Sequence, residues 1–455
     1  MTVTSDLSNW MWAGGLTALW LTHAGWAFAK SHKLARIKKA RSEELKSGAA
    51  HTVLVAYGSQ TGLASELAEK TATALTDAGV AARVIALSEL DTDTLSVARR
   101  ILFIASTTGE GDAPDNASGF LRRHMGQPMA LSHLSYAVLA LGDSSYEHYC
   151  AFGRALDHWL AASKASPIFE RIEVDNGRIE DIHHWQHHLS ALTGSTTDHD
   201  WAPPAYDPWI LAERTLMNLG SPGGEAWHLR FTPKGHIPHW QAGDIAEMVI
   251  PVAGDAPDLH REYSIASLPQ DGSLELCVRL ATLPDGGFGA GSGWMIQTLK
   301  MGGEVEMRVR SNPAFRPVPP QSTAILIGNG TGIAGLRAHL KTRTGQTPTW
   351  LLYGERTQAH DALFDAELQQ MLADKHLTRL DRAWSRDEGD GRYVQHLVSE
   401  NAREIVRMVE EGATIFVCGS LEGMSQGVHA ALEVALGEDV LNGLTDSGHY
   451  RRDVY

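Results

Sequence analysis

Cysteine is scarce. The 455 residues hold three, Cys150, Cys277 and Cys418, far apart and without a CxxC pair. That argues against a disulfide framework or a paired-cysteine zinc site and fits a reducing compartment. Haem-ligand and iron-sulfur cysteine spacings are also missing, so the chain carries no such centre of its own. Basic residues are in deficit, 39 Lys and Arg against 54 Asp and Glu, a net charge of -15 at pH 7. This disfavours general nucleic-acid binding and leaves an electropositive partner as the simpler expectation. The GxxxxGK[ST] spacing is absent, which sets aside nucleotide triphosphate hydrolysis. What is present is a globular composition, 43% hydrophobic and 20% charged, over a length that predicts two to four domains with substantial cores.

The amino terminus departs from that pattern. Trp10 to Ala29 (WMWAGGLTALWLTHAGWAFA) runs without a formal charge, about the twenty residues needed to cross a bilayer as a helix. Lys30, Lys33, Arg36, Lys38, Lys39 and Arg41 follow it, whereas Asp6 is the only charged side chain before it. The positive-inside rule then predicts a single-pass anchor in the inner (cytoplasmic) membrane with the catalytic domains in the cytoplasm. A cleaved signal peptide would carry its basic residues first. The alternative is a soluble or interfacial amphipathic helix.

From Ala50 onward, apolar runs of strand length alternate with helical patterns, the signature of parallel α/β units. TVLVAY, RILFIAS and YAVLALGD, starting at Thr52, Arg100 and Tyr136, read as buried strands. Each ends in a loop of small, hydroxylated or acidic residues, and open α/β sheets bind ligands at the carboxyl ends of strands. The first loop, Ser59, Gln60, Thr61 and Gly62, precedes a helix whose free N–H groups favour a phosphate. It contains no lysine. The second is STTGEGDAP, Ser106 to Pro114, and the third GDSSYEHYCAFG, Gly142 to Gly153.

Together SQTGLAS, STTGEGD and LGDSSYEHYCAFG resemble the FMN-binding flavodoxin domain of sulfite reductase flavoproteins and related diflavin reductases, over residues 50–194. The resemblance implies that Ser59, Gln60, Thr61 and Gly62 hold the FMN phosphate. It also implies that Thr107, Gly109 and Gly111 border the isoalloxazine, and that Ser106 and Thr108 in the second loop and Leu141, Gly142, Asp143 and Cys150 in the third belong to the cofactor site. Tyr146 and Tyr149 would lie against or near the ring face, and Asp175 matches an acidic residue near the flavin.

Ser195 to Pro208 (STTDHDWAPPAYDP) reads as a linker. Beyond it WHLRFTPK, AEMVIPV and LELCVRL carry strand signals without long helices, which predicts an antiparallel barrel or sandwich over 209–320. REYSIAS, Arg261 to Ser267, is followed by the glycine-rich GGFGAGSGWM, Gly286 to Met295. A pyrophosphate wants a cation, a ring wants an aromatic, and both want N–H groups at a helix start. Arg261, Tyr263, Gly289, Gly291 and Ser292 offer these. The last unit, 321–455, opens with AILIGNGTGIAGLRAHL (Ala324 to Leu340), a strand, glycine turn and helix of dinucleotide-binding type. LLYGER, AWSRD, RYVQ, FVCGSLEGM and the terminal YRRDVY follow in order.

This half resembles the ferredoxin-NADP reductase family, which implies FAD and NADPH as cofactors. By position, Gly330, Thr331 and Gly332 would hold the dinucleotide, and Ser385 and Arg386 its 2'-phosphate, with Tyr393 and Gln395 nearby. Ser264, Cys418 and Asp453 would surround the nicotinamide C4 and flavin N5, assisting hydride transfer by position and polarity. Tyr455 would stack on the FAD ring. Read apart from the resemblance, Cys418 is a small buried residue ending the strand TIFVC.

The expected architecture is thus α/β plus β-barrel: a transmembrane helix in residues 1–49, a flavodoxin-like doubly wound domain, an FAD-binding barrel and an NADP-binding α/β domain. Four departures stand out. Gly391 replaces the usual lysine of the YVQ motif, with Arg392 one position later; Gly335 replaces a proline; Ser420 replaces an aspartate. Only Gly243 to Asp258 precedes the RxYS element, where these reductases insert a large helical connecting domain. The expected activity is electron passage from NADPH to FAD to FMN and on to a separate haem or iron-handling partner associated with the membrane. A sulfite reductase flavoprotein component, a ferric-chelate or siderophore reductase, and a non-enzymatic flavin redox sensor are the alternatives. His183, His184, His187 and His188 are read as an exposed helix face, not a metal site.

Overall fold

The computed structural model describes residues 43, 48–59, 62–108, 111–144, 146–194, 201, 205–252, 258–345 and 347–455. The expected anchor, Trp10 to Ala29, its basic flank and most of the expected linker lie outside the described residues. Among the described residues no helix is long and apolar enough to cross a membrane.

The first sheet is parallel, with β1 (Val53–Gly58), β2 (Ala82–Ala86), β3 (Arg100–Ser106), β4 (Ser135–Gly142), β5 (Ser166–Pro167) and β6 (Ile172–Asp175). Its strands run β2-β1-β3-β4-β5, with β6 also on β4. Alternate residues face opposite cores: Leu54, Ala56, Ile101 and Phe103 join one, Val53, Val55, Leu102 and Ile104 the other. Burial on both faces is why these strands read as unbroken apolar runs. Each such side chain contributes about 1.5–3 kcal/mol. The order in which successive strands are added reverses between β1 and β3, and ligands bind outside the carboxyl ends of strands at such a point.

The second sheet is antiparallel: β7 (Asp207–Leu216), β8 (Ala226–Pro233), β9 (Ile245–Ile250), β10 (Leu259–Ser264), β11 (Leu274–Arg279) and β12 (Glu304–Arg310), in the order β10-β9-β12-β7-β8-β11. Just past β10, Ala266 donates to the Glu275 carbonyl at 2.8 Å, bringing the two end strands together around Trp209, Phe231, Met248 and Leu276. At the place where a connecting domain was expected and found wanting, β9 and β10 pair directly as a hairpin, from Ile250 opposite Leu259 to Ile245 opposite Ser264. The expected linker is also shorter than its composition implied. Trp201 is buried in the flavodoxin-side core, and β7 already includes Asp207 and Pro208.

The third sheet is parallel, β13 (Ala324–Asn329), β14 (Thr349–Glu355), β15 (Arg379–Trp384), β16 (Thr414–Gly419) and β17 (Tyr450–Val454), in the order β15-β14-β13-β16-β17. Its point of reversal lies between β13 and β16, whose ends carry Gly330 and Cys418.

Candidate functional site

The loop after β1 is folded by its own hydroxyl: Ser59 Oγ accepts from Gly62 N at 2.8 Å, and Ser59 N donates to Asn116 at 2.9 Å. Gln60 and Thr61 lie outside the described residues, as does Gly109. Gly62 caps the helix Leu63–Asp77 with φ +94°, and a Cβ there would lie 2.4 Å from the Ser311 carbonyl oxygen. Two separate constraints therefore demand glycine, a left-handed backbone and the approach of the barrel module.

Ser106 ends β3, and Thr107 follows with its amide on the Leu141 carbonyl at 2.9 Å. Thr108 and Asp112 exchange two 2.9 Å backbone bonds, with Gly111 inside the turn they close. The third loop lies against the second, His148 packing on Gly111. Asp175 accepts from Ser144 N at 2.8 Å and Ser144 Oγ at 2.6 Å, bracing the third loop. Gly142 O accepts from Asn176 N and Asp143 O from Tyr146 N, leaving Tyr146 52% exposed. Tyr149 packs partly on the core, with the Arg154 guanidinium 5.5 Å from its ring. Two side chains of the loop turn inward. Leu141 is a core residue, and Cys150 turns its thiol inward to the Ala140 carbonyl at 3.4 Å. Small apolar side chains at the base of the loop fill the space under it.

In the barrel, Arg261 and Tyr263 share one face of β10, and both pack against Gly291. Burial pushes the Tyr263 phenol up to about 12, so it stays protonated. Ser292 Oγ accepts from Ala281 N at 3.1 Å, and Gly289 N donates to the Ala281 carbonyl at 2.9 Å. The serine hydroxyl thus fixes the turn. The helical turn beginning at Ala290 offers its backbone N–H groups.

Ser264, Cys418 and Asp453, far apart in sequence, converge. Ser264 Oγ donates to Asp453 Oδ2 at 2.6 Å, and Cys418 Sγ lies 3.7 Å from the same oxygen. Gly335 sits beside both Cys418 and Ser264, so its departure from proline falls on this cluster. Asp453 is 4% exposed, and burial pushes its carboxyl up to about 6. Burial, reinforced by Asp453, holds the Cys418 thiol well above its ordinary range, so it acts through shape and polarity rather than as a thiolate.

Next to this cluster opens a cleft of about 670 Å³. Gly330, Thr331, Ser385, Arg386, Tyr393, Gln395 and Tyr455, all expected from sequence, line it. Gly332 lies at its base, where a Cβ would stand 2.1 Å from the Cys418 carbonyl oxygen. Tyr455 is held by its backbone to Gly419 and Leu421, while the residue as a whole is 57% exposed and its hydroxyl lies 3.3 Å from Thr331 Oγ1. Arg392 is committed elsewhere, to Asp390 and to Glu400 at 2.8 Å.

Sequence reasoning missed Arg279, Glu355 and Arg356 in the same wall. Arg279 pairs with Glu355 from across the barrel boundary, a contact no local pattern announces. Arg356 directly follows β14, and its place at a strand's carboxyl end was the available signal. Its Nη1 is buried against Gly223 without a hydrogen-bond partner among the described residues. Two arginines, Arg356 and Arg386, in the wall of a glycine-turned cleft fit a phosphate-bearing dinucleotide.

The flavodoxin family profile matches residues 55–185, and the oxidoreductase NAD-binding domain profile residues 326–430. Relatives include the "Sulfite reductase [NADPH] flavoprotein alpha-component" of Vibrio vulnificus, 26% identical over 538 aligned positions, with 88% of this chain and 87% of the relative covered. The protein of that name from Photobacterium profundum is 24% identical, with 96% of this chain and 94% of the relative covered. The first alignment has more positions than this chain has residues, so the relative carries insertions that this chain lacks. The chain is therefore homologous to sulfite reductase flavoprotein alpha-components and joins a flavodoxin domain to an oxidoreductase NAD-binding domain: an NADPH-dependent oxidoreductase with FMN in its flavodoxin domain and FAD and NADPH in its reductase module.

Proposed function

We propose that the protein draws electrons from NADPH and delivers them to a separate acceptor of the sulfite reductase haemoprotein class. The observation that carries this reading is the meeting of Ser264, Cys418 and Asp453 beside the cleft that Arg356 and Arg386 serve. When bound, the two flavins supply conversion of a hydride's electron pair into single electrons. The protein's own residues do the rest. Arg356 and Arg386 hold phosphate, the Tyr455 ring covers the inner end of the cleft, and the buried Asp453 carboxylate, oriented by Ser264, faces the positive charge that a nicotinamide gains on losing hydride. Gly62 and the Ser59 hydroxyl shape the FMN phosphate loop, and Thr107, Gly111 and Tyr146 border its ring.

The relatives' name and coverage support the sulfite reductase acceptor. The test is anaerobic titration with NADPH, followed by mixing with a sulfite reductase haemoprotein. Flavin bleaching and then haem reduction are expected, whereas fast turnover of ferric chelates with no haem reduction would favour the chelate reductase reading.

A second reading adds membrane attachment, favoured by the uncharged run Trp10 to Ala29 and its basic flank. It places the catalytic domains at the cytoplasmic face of the inner membrane, within reach of a membrane-associated haem or iron-handling acceptor. Fractionation decides it: full-length chain should pellet with membranes and resist carbonate washing, and recovery in the supernatant would remove the anchor.

A further inference from the structure

We propose that His184 and His188, one turn apart on the helix Ile179–Thr193, form a two-imidazole clamp for a borderline divalent transition-metal ion of the Zn²⁺, Ni²⁺ or Cu²⁺ class. The sequence presents four histidines as exposed helix surface, and surface they are. What the fold adds is a specific pair. The two Nε2 atoms face each other at 3.2 Å, with ring centroids 4.8 Å apart and planes at 48°. Two imidazole nitrogens each about 2.0–2.1 Å from one tetrahedral ion stand roughly 3.3 Å from one another. The clamp is thus already at ligating distance.

The second ring is also fixed in place. His188 stacks on Phe169, centroids 4.4 Å apart and planes at 20°, so little side-chain freedom remains to be lost when an ion binds. Trp185, buried on the inner face and donating to Thr71 Oγ1 at 3.1 Å, fixes the helix beneath it. His184 is exposed, giving access from solvent.

In the empty pair one Nε2–H donates to the other Nε2. On binding, that proton relocates through solvent to the outer Nδ1 of the same ring, so both Nε2 lone pairs face the ion and the charge of the pair does not change. His187 stands edge-on to His188 with centroids 6.2 Å apart, outside the clamp. Among the described residues no third histidine, cysteine or carboxylate completes the set. The remaining positions belong to water or to a ligand from solution, and imidazole ligation selects against Mg²⁺ and Ca²⁺.

The test uses untagged full-length protein in detergent, titrated calorimetrically with Zn²⁺ and, separately, passed over immobilised Ni²⁺. One saturable Zn²⁺ site and retention on the column are expected. H184Q/H188Q should weaken Zn²⁺ binding at least tenfold and abolish retention, while H183Q/H187Q leaves both unchanged. NADPH-driven flavin bleaching equal to wild type in both variants verifies folding. Absence of saturable binding below millimolar Zn²⁺, or binding undiminished in H184Q/H188Q, overturns the clamp.

Discussion

Arg452 Nε donates to Asp115 Oδ2 at 2.9 Å, and a second guanidinium nitrogen holds the other carboxylate oxygen. This fork joins the two halves of the molecule. Asp115 opens the helix that follows the second flavodoxin loop, while Arg452 is the immediate neighbour of Asp453 on β17. Arg123 with Asp446 at 3.1 Å and Arg308 with Glu66 at 3.1 Å flank it. Without a connecting domain, these pairs and the approach of Gly62 to Ser311 set how the flavodoxin domain docks.

Breaking the fork should therefore slow transfer between the flavins and leave hydride uptake intact. Asp115→Asn is expected to cut the second phase of stopped-flow flavin reduction about tenfold, equivalent to about 1.4 kcal/mol, with the first phase unchanged. Raising salt should slow the same phase in wild type more than in the variant. Equal loss in both phases would show that the pair acts on the nicotinamide side instead.

Gly62→Ala tests the phosphate loop. A left-handed backbone costs a non-glycine residue about 1–2 kcal/mol, and the added methyl meets a backbone carbonyl that cannot move aside alone. FMN content, read as flavin released on denaturation, should fall severalfold while FAD remains stoichiometric.

Much of this was legible in the sequence because parallel strands buried on both faces announce themselves as apolar runs, and their carboxyl ends then point to the loops. Ser264, Cys418 and Asp453 could be assembled by resemblance although no spacing links them. Other features depend on contacts between distant segments. Asp175 was legible as an acid near the third loop, but its commitment to Ser144 was not. Cys150 stands inside a flavin-loop motif, yet its left-handed backbone, φ 54°, turns the thiol into the core. Arg279 reaches the cleft only because the barrel abuts the nucleotide sheet. The docking pairs couple residues hundreds of positions apart, where periodicity and local motif carry no information.

Asp453 predicts a pH dependence. Burial pushes its carboxyl up to about 6, so the folded protein holds this proton more tightly than the unfolded chain, whose carboxyl titrates near 4. The stability it contributes is fully present below about pH 4 and is lost as pH rises through about 6. Two pH units correspond to about 3 kcal/mol. Asp453→Asn should therefore raise the urea midpoint of the reductase module at pH 7.5 more than at pH 4.5. Hydride transfer should respond in the opposite direction, falling about a hundredfold and losing its inflection near pH 6. A pH profile unchanged in the variant would remove Asp453 from the charge-stabilising role.

Cofactor choice should follow the arginine that no carboxylate among the described residues engages. Arg386 lines the cleft beside Ser385, whereas Arg392 is already engaged by Asp390 and Glu400. A 2'-phosphate rewards a guanidinium that can turn both forks toward it. Arg386→Ala should raise the KM for NADPH about ten- to a hundredfold, the loss of one or two charge-assisted hydrogen bonds, and leave the KM for NADH within about twofold. Arg392→Ala should change the ratio little, because its side chain supports the loop around Asp390 and not the ligand. If Arg392→Ala instead erases NADPH preference, the guanidinium must leave its carboxylates when the dinucleotide binds, and Asp390→Asn would then tighten NADPH binding by freeing it.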